Sequence, residues 1–403
     1  MHLDNYVFTA LVFLIAFFVA NFLTKRIHVP IERERDTQLD GLRGILALSV
    51  YICHVAAWYH YLHSGSYMQS GPGLYYQLSK VGVFMFFMIT GYLFVGKILR
   101  ERKKGIDWTR FAVSRVLRIV PLYLFAICTM IFIVYIESGF QFQEPMGGMA
   151  GDIFEWLTFT AFGSPLINNY ENTLLITSHV QWTLIYEWMF YLTLPILALA
   201  LSIRVPLLYL AIAFLLLTSI YFNADELFLP TGFIGGALTA LICSNFKAIK
   251  NIVSKPIFSI VAIGLLFLQG FLFPEFGFIQ PSKYSAAFIC ASFLIIAGGN
   301  NLFGILTNRA AKYLGKISYS IYLVHGITLF VTFTFVLGFE FSASLSRINF
   351  GLLVLGITGL LVIVSSITYY LIEEPAMKQV NRMTTYIKNT FQKKVNELKE
   401  PAL

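Results

Sequence analysis

The sequence predicts an all-α protein, a polytopic bundle of about eleven transmembrane helices, and three observations predict it. Of its 403 residues, 57% are hydrophobic and 12% charged, and its mean hydropathy is +0.72, more apolar surface than a soluble domain hides. The apolar residues fall into eleven runs, each near the roughly 20 residues that cross a hydrocarbon core as a helix. The basic residues segregate. With the N-terminus outside, all but Lys80, Lys283 and Arg347 of the 29 Lys and Arg fall in cytoplasmic segments or at cytoplasmic helix ends, the bias that orients membrane helices.

Tyr6–Thr24 is the first run. It lacks a basic leader, and the Asn21–Arg26 segment is a poor processing site, so a retained helix is expected rather than a signal peptide. Leu39–Tyr61 is the second and carries two polar residues inside apolar sequence, Arg43 and His54. Leu78–Ile98 is the third. The densest basic segment, Lys97 to Arg118, follows it and suits an anionic lipid surface or a polyphosphate ligand. Arg118–Ile136 is the fourth. The outside loop Glu137–Ser178 is too short and apolar for a domain, and a surface-lying or re-entrant cap is expected. Val180–Leu201 is the fifth run and holds Trp182, Thr183, Tyr186 and Glu187. Val205–Phe222, Leu227–Phe246, Pro256–Phe273 and Tyr284–Gly299 are plain apolar runs. Leu314–Val336 holds Ser318, Tyr322 and His325, and Phe350–Leu371 is the last. The basic tail from Lys378 reads as a short surface helix with a frayed end. The expected organisation is 1–38 as an extra helix and linker, 39–375 as a membrane core, and 376–403 as a cytoplasmic tail.

Composition excludes several functions. The four Cys are widely spaced in apolar stretches, so neither a disulfide framework nor a zinc site is expected. There is no Walker sequence, dinucleotide fingerprint or metal-ligand run, so neither a metal nor a nucleic-acid partner is expected. The buried polar residues carry the chemistry, because polar groups in a membrane are costly and mark bundle interiors or functional sites. Arg43 and His54 are eleven residues apart, nearly three full turns, so they share a helix face about 16 Å apart along the axis. Helix rise puts His54 about 21 Å from the cytoplasmic end of its span, Glu187 about 10 Å below the outer end of its own, and His325 about 16 Å above the cytoplasmic end of its own. A buried carboxylate such as Glu187 must be paired, or neutral and ready to exchange a proton. Thr183, four residues earlier, shares its face and could orient it. Ser318, Tyr322 and His325 form another polar stripe, although a lone membrane histidine can also simply bond a neighbouring backbone.

These residues lie in blocks that resemble the membrane acyltransferase-3 family, polytopic O-acyltransferases of cell-surface glycans and some secondary metabolites. The blocks are LDGLRG with His54, FFMITGYL over 86–93 with Thr90 where serine is commoner, RVLRIVPLY over 115–123, QWTLIYEWMFY over 181–191, GKISYSIYLVH over 315–325, and Glu373-Glu374-Pro375. The resemblance runs from Leu39 to about Pro375. The family core has ten spans and starts inside, so the extra first span keeps its orientation only with the N-terminus outside. Some members carry a fused extracytoplasmic esterase-like domain, and none is expected here.

The resemblance implies transfer of an acyl group, most often acetyl, from cytoplasmic acyl-CoA to a hydroxyl of an extracytoplasmic glycan, lipid-linked sugar or other acceptor, by a protein integral to the cell inner membrane. Arg43, Arg115 and Arg118 are expected to hold the CoA phosphates, since arginine binds them bidentately. His54 is expected as the base, with Glu187 on the acceptor side and His325 and Tyr322 positioning the acceptor or stabilising the oxyanion. Trp182, Thr183 and Tyr186 are expected to line the acceptor site. Direct transfer is preferred to an acyl-histidine, because no membrane Ser or Cys is paired with a base at readable spacing. A succinyl-type transferase of the same family, or a glycan or lipid-intermediate exporter without transferase activity, would use similar buried polar groups.

Overall fold

Apolar helices set the architecture, seen in a computed structural model that describes residues 6–26, 37–67, 73–201, 203–223, 230–274 and 281–397. The expected linker over 27–36, the first five residues and the tail end at 398–403 lie outside the described residues. No sheet occurs among those described. The helices are α1 (Tyr6–Arg26), α2 (Thr37–Ser64), α3 (Leu74–Glu101), α4 (Trp108–Glu137), α5 (Met146–Leu157), α6 (Thr173–Ile176), α7 (Trp182–Ala200), α8 (Leu207–Asn223) and α9 (Thr231–Asn245). After them come α10 (Lys247–Val253), α11 (Pro256–Leu272), α12 (Lys283–Ala297), α13 (Arg309–Lys316), α14 (Ser318–Phe330), α15 (Phe339–Ser344), α16 (Arg347–Thr368), α17 (Glu374–Lys378) and α18 (Val380–Glu397). Among the described residues seven segments are long and apolar enough to cross a membrane, and four shorter apolar helices, within α8, α9, α11 and α12, account for the other expected runs. The protein is a polytopic membrane helix bundle.

Helix α2 is the centre. Of its most apolar window 89% is buried, against 28% for α1, so one helix sits inside the protein and the other faces lipid. Helices α3, α13 and α14 surround α2, while α1 lies against α13 and α16. The contact face of α1 is Val12, Ala16, Ala20 and Thr24, one residue per turn and mostly small, and Leu14, Phe18 and Phe22 point outward. Small residues let membrane helices approach closely, which is where packing energy comes from without a hydrophobic drive.

The tightest approach joins two of the sequence blocks. A Cβ on Gly315 would lie 1.8 Å from the Asp40 carbonyl oxygen, and one on Gly41 would lie 1.9 Å from that of Leu306. The glycines of LDGLRG and of GKISYS are therefore a clasp that lays α13 backbone to backbone along the start of α2. A second clasp joins α3 and α9, where a Cβ on Gly236 would meet the Met88 carbonyl oxygen at 2.0 Å.

Three boundaries differ from the sequence expectation. Helix α4 starts at Trp108, ten residues before Arg118, because Asp107 accepts from the Arg110 N–H at 3.0 Å and caps it. Basic residues 110–118 thus ride on regular helix that extends beyond the apolar run. The tenth run is broken at Ile317 into α13 and α14, and α14 passes into a π turn over Val331–Val336. The last run ends in a second π turn, Tyr369–Glu373, whose extra residue per turn brings Glu373 inside. The tail folds back as α18 on α4, with Lys388 Nζ donating to Asp107 at 2.6 Å.

The segment 138–181 folds over one end of the bundle as a cap. Its own Trp156, in α5, is fully buried and donates from Nε1 to the Pro165 carbonyl of the same segment at 2.9 Å. The Tyr123 hydroxyl of α4 donates to the Trp156 carbonyl at 2.5 Å, and Tyr61 of α2 donates to Asn172 at 3.1 Å. The cap descends onto α14, where a Cβ on Gly326 would meet Thr177 backbone at 2.4 Å.

Candidate active site

A cavity of about 1290 Å³ opens at the basic end of the bundle, between α2, α3, α4, α7, α13 and α14. It follows α3 from Arg100, in the last turn of that helix, to Val83, a depth of about 25 Å along the axis. That is most of a hydrocarbon core about 30 Å thick. Nine basic side chains line it against three acidic ones, and the acids are Asp40, Glu187 and Glu374. Its walls further in are Val83, Phe86, Phe87, Thr90 and Leu184.

All three expected arginines line this cavity, and packing holds each. Arg43 pairs with Asp40 at 3.2 Å, one turn back on α2. Arg115 lies over the Phe94 ring at 5.0 Å and the Tyr191 ring at 5.9 Å. Arg118 pairs with Glu373 at 2.9 Å and lies 5.8 Å from the Tyr319 ring. The Glu373 side chain is fully buried, and the Ser320 hydroxyl donates to its other oxygen. Glu374, next in sequence, meets Lys316 at 3.6 Å and Lys378 at 3.4 Å. The closing Glu-Glu-Pro block therefore braces the cavity's basic wall.

Tyr322 and Thr183 stand at the inner end. Their hydroxyls meet at 2.8 Å, joining α14 to α7, and Tyr322 also donates to the Val180 carbonyl at 2.9 Å. Both line the cavity, whereas His325 and His54 are not among its lining residues. His325 lies just past Tyr322, ring centroids 6.3 Å apart, and His54 lies 5.1 Å beyond His325. His54 meets the Tyr67 hydroxyl through Nδ1 at 2.9 Å. His325 Nδ1 lies 3.1 Å from the Ile321 carbonyl, and its Nε2 is buried with no partner among the described residues. A carbonyl only accepts, so Nδ1 carries the proton of the neutral ring and Nε2 presents a bare lone pair. In that tautomer Nε2 cannot donate to an oxyanion, contrary to one of the two roles expected of His325.

Glu187 opens into the basic cavity, not onto the opposite end of the bundle. Thr183 does not orient it, because the threonine hydroxyl is engaged with Tyr322. Glu187 instead accepts from the Tyr191 hydroxyl, one turn on. Trp182 and Tyr186 do not line the cavity. They pack edge to face at 5.9 Å, and Tyr186 continues against Phe87 at 6.2 Å. The sequence blocks contained Glu373 and Tyr191 but gave them no role, and sequence reasoning missed Tyr67, and also Arg309 and Lys312, which line the cavity. The last two had a readable signal, since Arg309, Lys312 and Lys316 follow i, i+3, i+7 spacing on one helix face.

A bundle of apolar helices around a basic internal cavity that leads to buried imidazoles defines an integral membrane protein with a solute-accessible core. The family model described as an acyltransferase domain, that of the acyltransferase-3 proteins, matches residues 36–370. The chain belongs to that membrane acyltransferase family, and α1 precedes the matched region. No curated protein and no solved structure matches it.

Proposed function

We propose that the protein is an O-acyltransferase that moves an acyl group, acetyl in the first instance, from acyl-CoA in the basic cavity to a hydroxyl of a glycan or lipid-linked sugar arriving from the opposite side of the membrane. In this reading the basic end faces the cytoplasm and the N-terminus lies outside, an orientation that the segregation of Lys and Arg supports. One observation carries the reading. The cavity is basic at its mouth, apolar further in, and ends at a tyrosine in contact with His325 of the histidine pair. A long thioester with a polyanionic head fits that gradient.

Arg43, Arg115 and Arg118 hold phosphate oxygens, each kept in place by a carboxylate or aromatic ring already described. The Tyr322 hydroxyl stands between the cavity and the imidazoles, so the thioester reaches them only when the Thr183–Tyr322 contact opens. There the Tyr322 hydroxyl turns its proton from the Val180 carbonyl to the developing oxyanion. His54 takes the acceptor proton, and the bare Nε2 of His325 gives the pair a second site for it. The acceptor oxygen attacks the thioester carbonyl, the carbon–sulfur bond breaks, and the thiolate recovers the proton, so free CoA leaves. The position of Glu187 beside Tyr191 supports a donor-side role for it, and the acceptor approaches past Tyr67 and the cap. No metal is required by these steps, and no group of His, Cys, Asp and Glu suited to one occurs among the described residues.

The test is purified protein in liposomes with acetyl-CoA labelled in the acetyl group on one side and an acceptor glycan on the other. Label on the glycan with equimolar release of free CoA is expected. Movement of unmodified glycan without any dependence on acyl-CoA would instead identify an exporter, and turnover of succinyl-CoA in preference to acetyl-CoA would reassign the donor.

A further inference from the structure

The cavity's cations fall into two tiers. Arg43 lies six residues into α2, and Arg115 and Arg118 lie seven and ten residues into α4, about 9–15 Å from the helix starts. Of these, Arg43 and Arg118 are already paired with carboxylates. The outer tier sits at the mouth. Arg100 is in the last turn of α3, and Arg309 and Lys312 open α13 one turn apart. None of these three has a carboxylate partner among the described residues. Arg309 is held instead by the Thr24 carbonyl in the last turn of α1, and the glycine clasp on α2 holds the helix that carries it. Among the described residues the mouth thus keeps positive charge in excess, on a rigidly seated element.

We propose that Arg309 and Lys312, with Arg100 of the same cavity lining, form a separate subsite for the ribose 3′-phosphate of the CoA donor, so that the protein selects 3′-phosphorylated CoA over its dephosphorylated form. This rests on the donor reading above. CoA carries phosphate in two places, a pyrophosphate beside the pantetheine arm and a phosphomonoester on the ribose at the far end. A donor threaded thioester first puts the pyrophosphate at the inner arginines and leaves the monoester at the mouth. A phosphomonoester carries about −1.5 to −2 charge at neutral pH, and cations of one cavity lining with no carboxylate partner among the described residues suit it better than a paired arginine does. Through its contact with Arg309, the extra helix α1 fixes one wall of this subsite.

The experiment compares acetyl-CoA with 3′-dephospho-acetyl-CoA in proteoliposomes, reading kcat/KM for each. The wild type should prefer acetyl-CoA by about tenfold or more. Arg309→Gln/Lys312→Gln should bring the two donors within about twofold, through KM and with kcat kept, and Lys312→Arg should restore part of the preference. Arg43→Gln should weaken both donors alike and keep their ratio. A double variant that keeps the wild-type ratio, or a wild type that does not discriminate, overturns the subsite. So does an equal loss for both donors seen only in vesicles containing phosphatidylglycerol and not in pure phosphatidylcholine, which would make the cluster a lipid headgroup anchor. Turnover of neither donor by the wild type would reject the acyl-CoA reading itself.

Discussion

Gly315→Ala tests the clasp on which the site's geometry depends. The new Cβ would stand 1.8 Å from the Asp40 carbonyl oxygen, where real Cβ atoms essentially never come within 3.0 Å, so α13 and α2 must part by about 1.2 Å. The obstacle is backbone, and no side-chain rotation relieves it. Overpacking of this kind costs typically about 1–3 kcal/mol. At about 2–4 °C per kcal/mol for a mid-sized domain, the thermal midpoint should fall by several degrees. Asp40 is the partner of Arg43, and α13 carries Arg309 and Lys312, so the same shift misplaces both tiers of cations. Donor KM should rise about tenfold with the histidine chemistry intact. Gly356→Ala is the control, because its Cβ would meet nothing within 4 Å at an exposed position of α16, and alanine favours helix by up to about 1 kcal/mol. Midpoints come from thermal unfolding of the purified proteins in one detergent, and KM from the liposome assay. A Gly315→Ala protein with wild-type midpoint and KM would refute the clasp.

Three further outcomes are expected. Glu373→Gln leaves Arg118 without its charge partner. Breaking a fully buried pair costs about 3–5 kcal/mol, but Arg118 keeps 24% of its side chain exposed to the cavity, so the stability loss should fall below that range. Donor KM should rise with kcat little changed, and a lowered midpoint with unchanged KM would reduce Glu373 to a structural brace. His325→Asn keeps an N–H for the Ile321 carbonyl and removes the Nε2 lone pair, so the variant should fold with a near-normal midpoint and lose at least about 100-fold in kcat; His54→Ala should be inactive as well, and near-normal turnover in either would remove that ring from the reaction. For sidedness, single cysteines at Asn5, Gln38 and Leu403 are exposed to a membrane-impermeant thiol reagent in intact cells with native thiols controlled. Only Asn5 should label, and labelling of Gln38 would invert the core or remove the first span.

The sequence determined the class of structure and the local geometry of each element. Helical period and bilayer thickness are local rules, so hydropathy alone marked the runs, and the eleven-residue spacing alone put Arg43 and His54 on one face of α2. The clasp glycines were visible as LDGLRG and GKISYS but not as partners of each other, because nothing local says which helix a glycine faces. Tertiary structure decided which helices adjoin and how each is rotated. It placed His325 of α14 against His54, more than 250 residues earlier in the chain, and seated Glu373 on Arg118 through a π turn that no periodicity announced. It turned Glu187 into the basic cavity, although depth along α7 had suggested the acceptor side, because depth fixes height in the membrane and leaves the direction around the axis open. Thr183 lay on the right face for Glu187 and was taken by Tyr322 from another helix. Hydropathy measures transfer into lipid, which is the same for every order and rotation of the helices. The order is set by backbone approach at small residues and by the pairing of the few buried charges, and those require two helices at once.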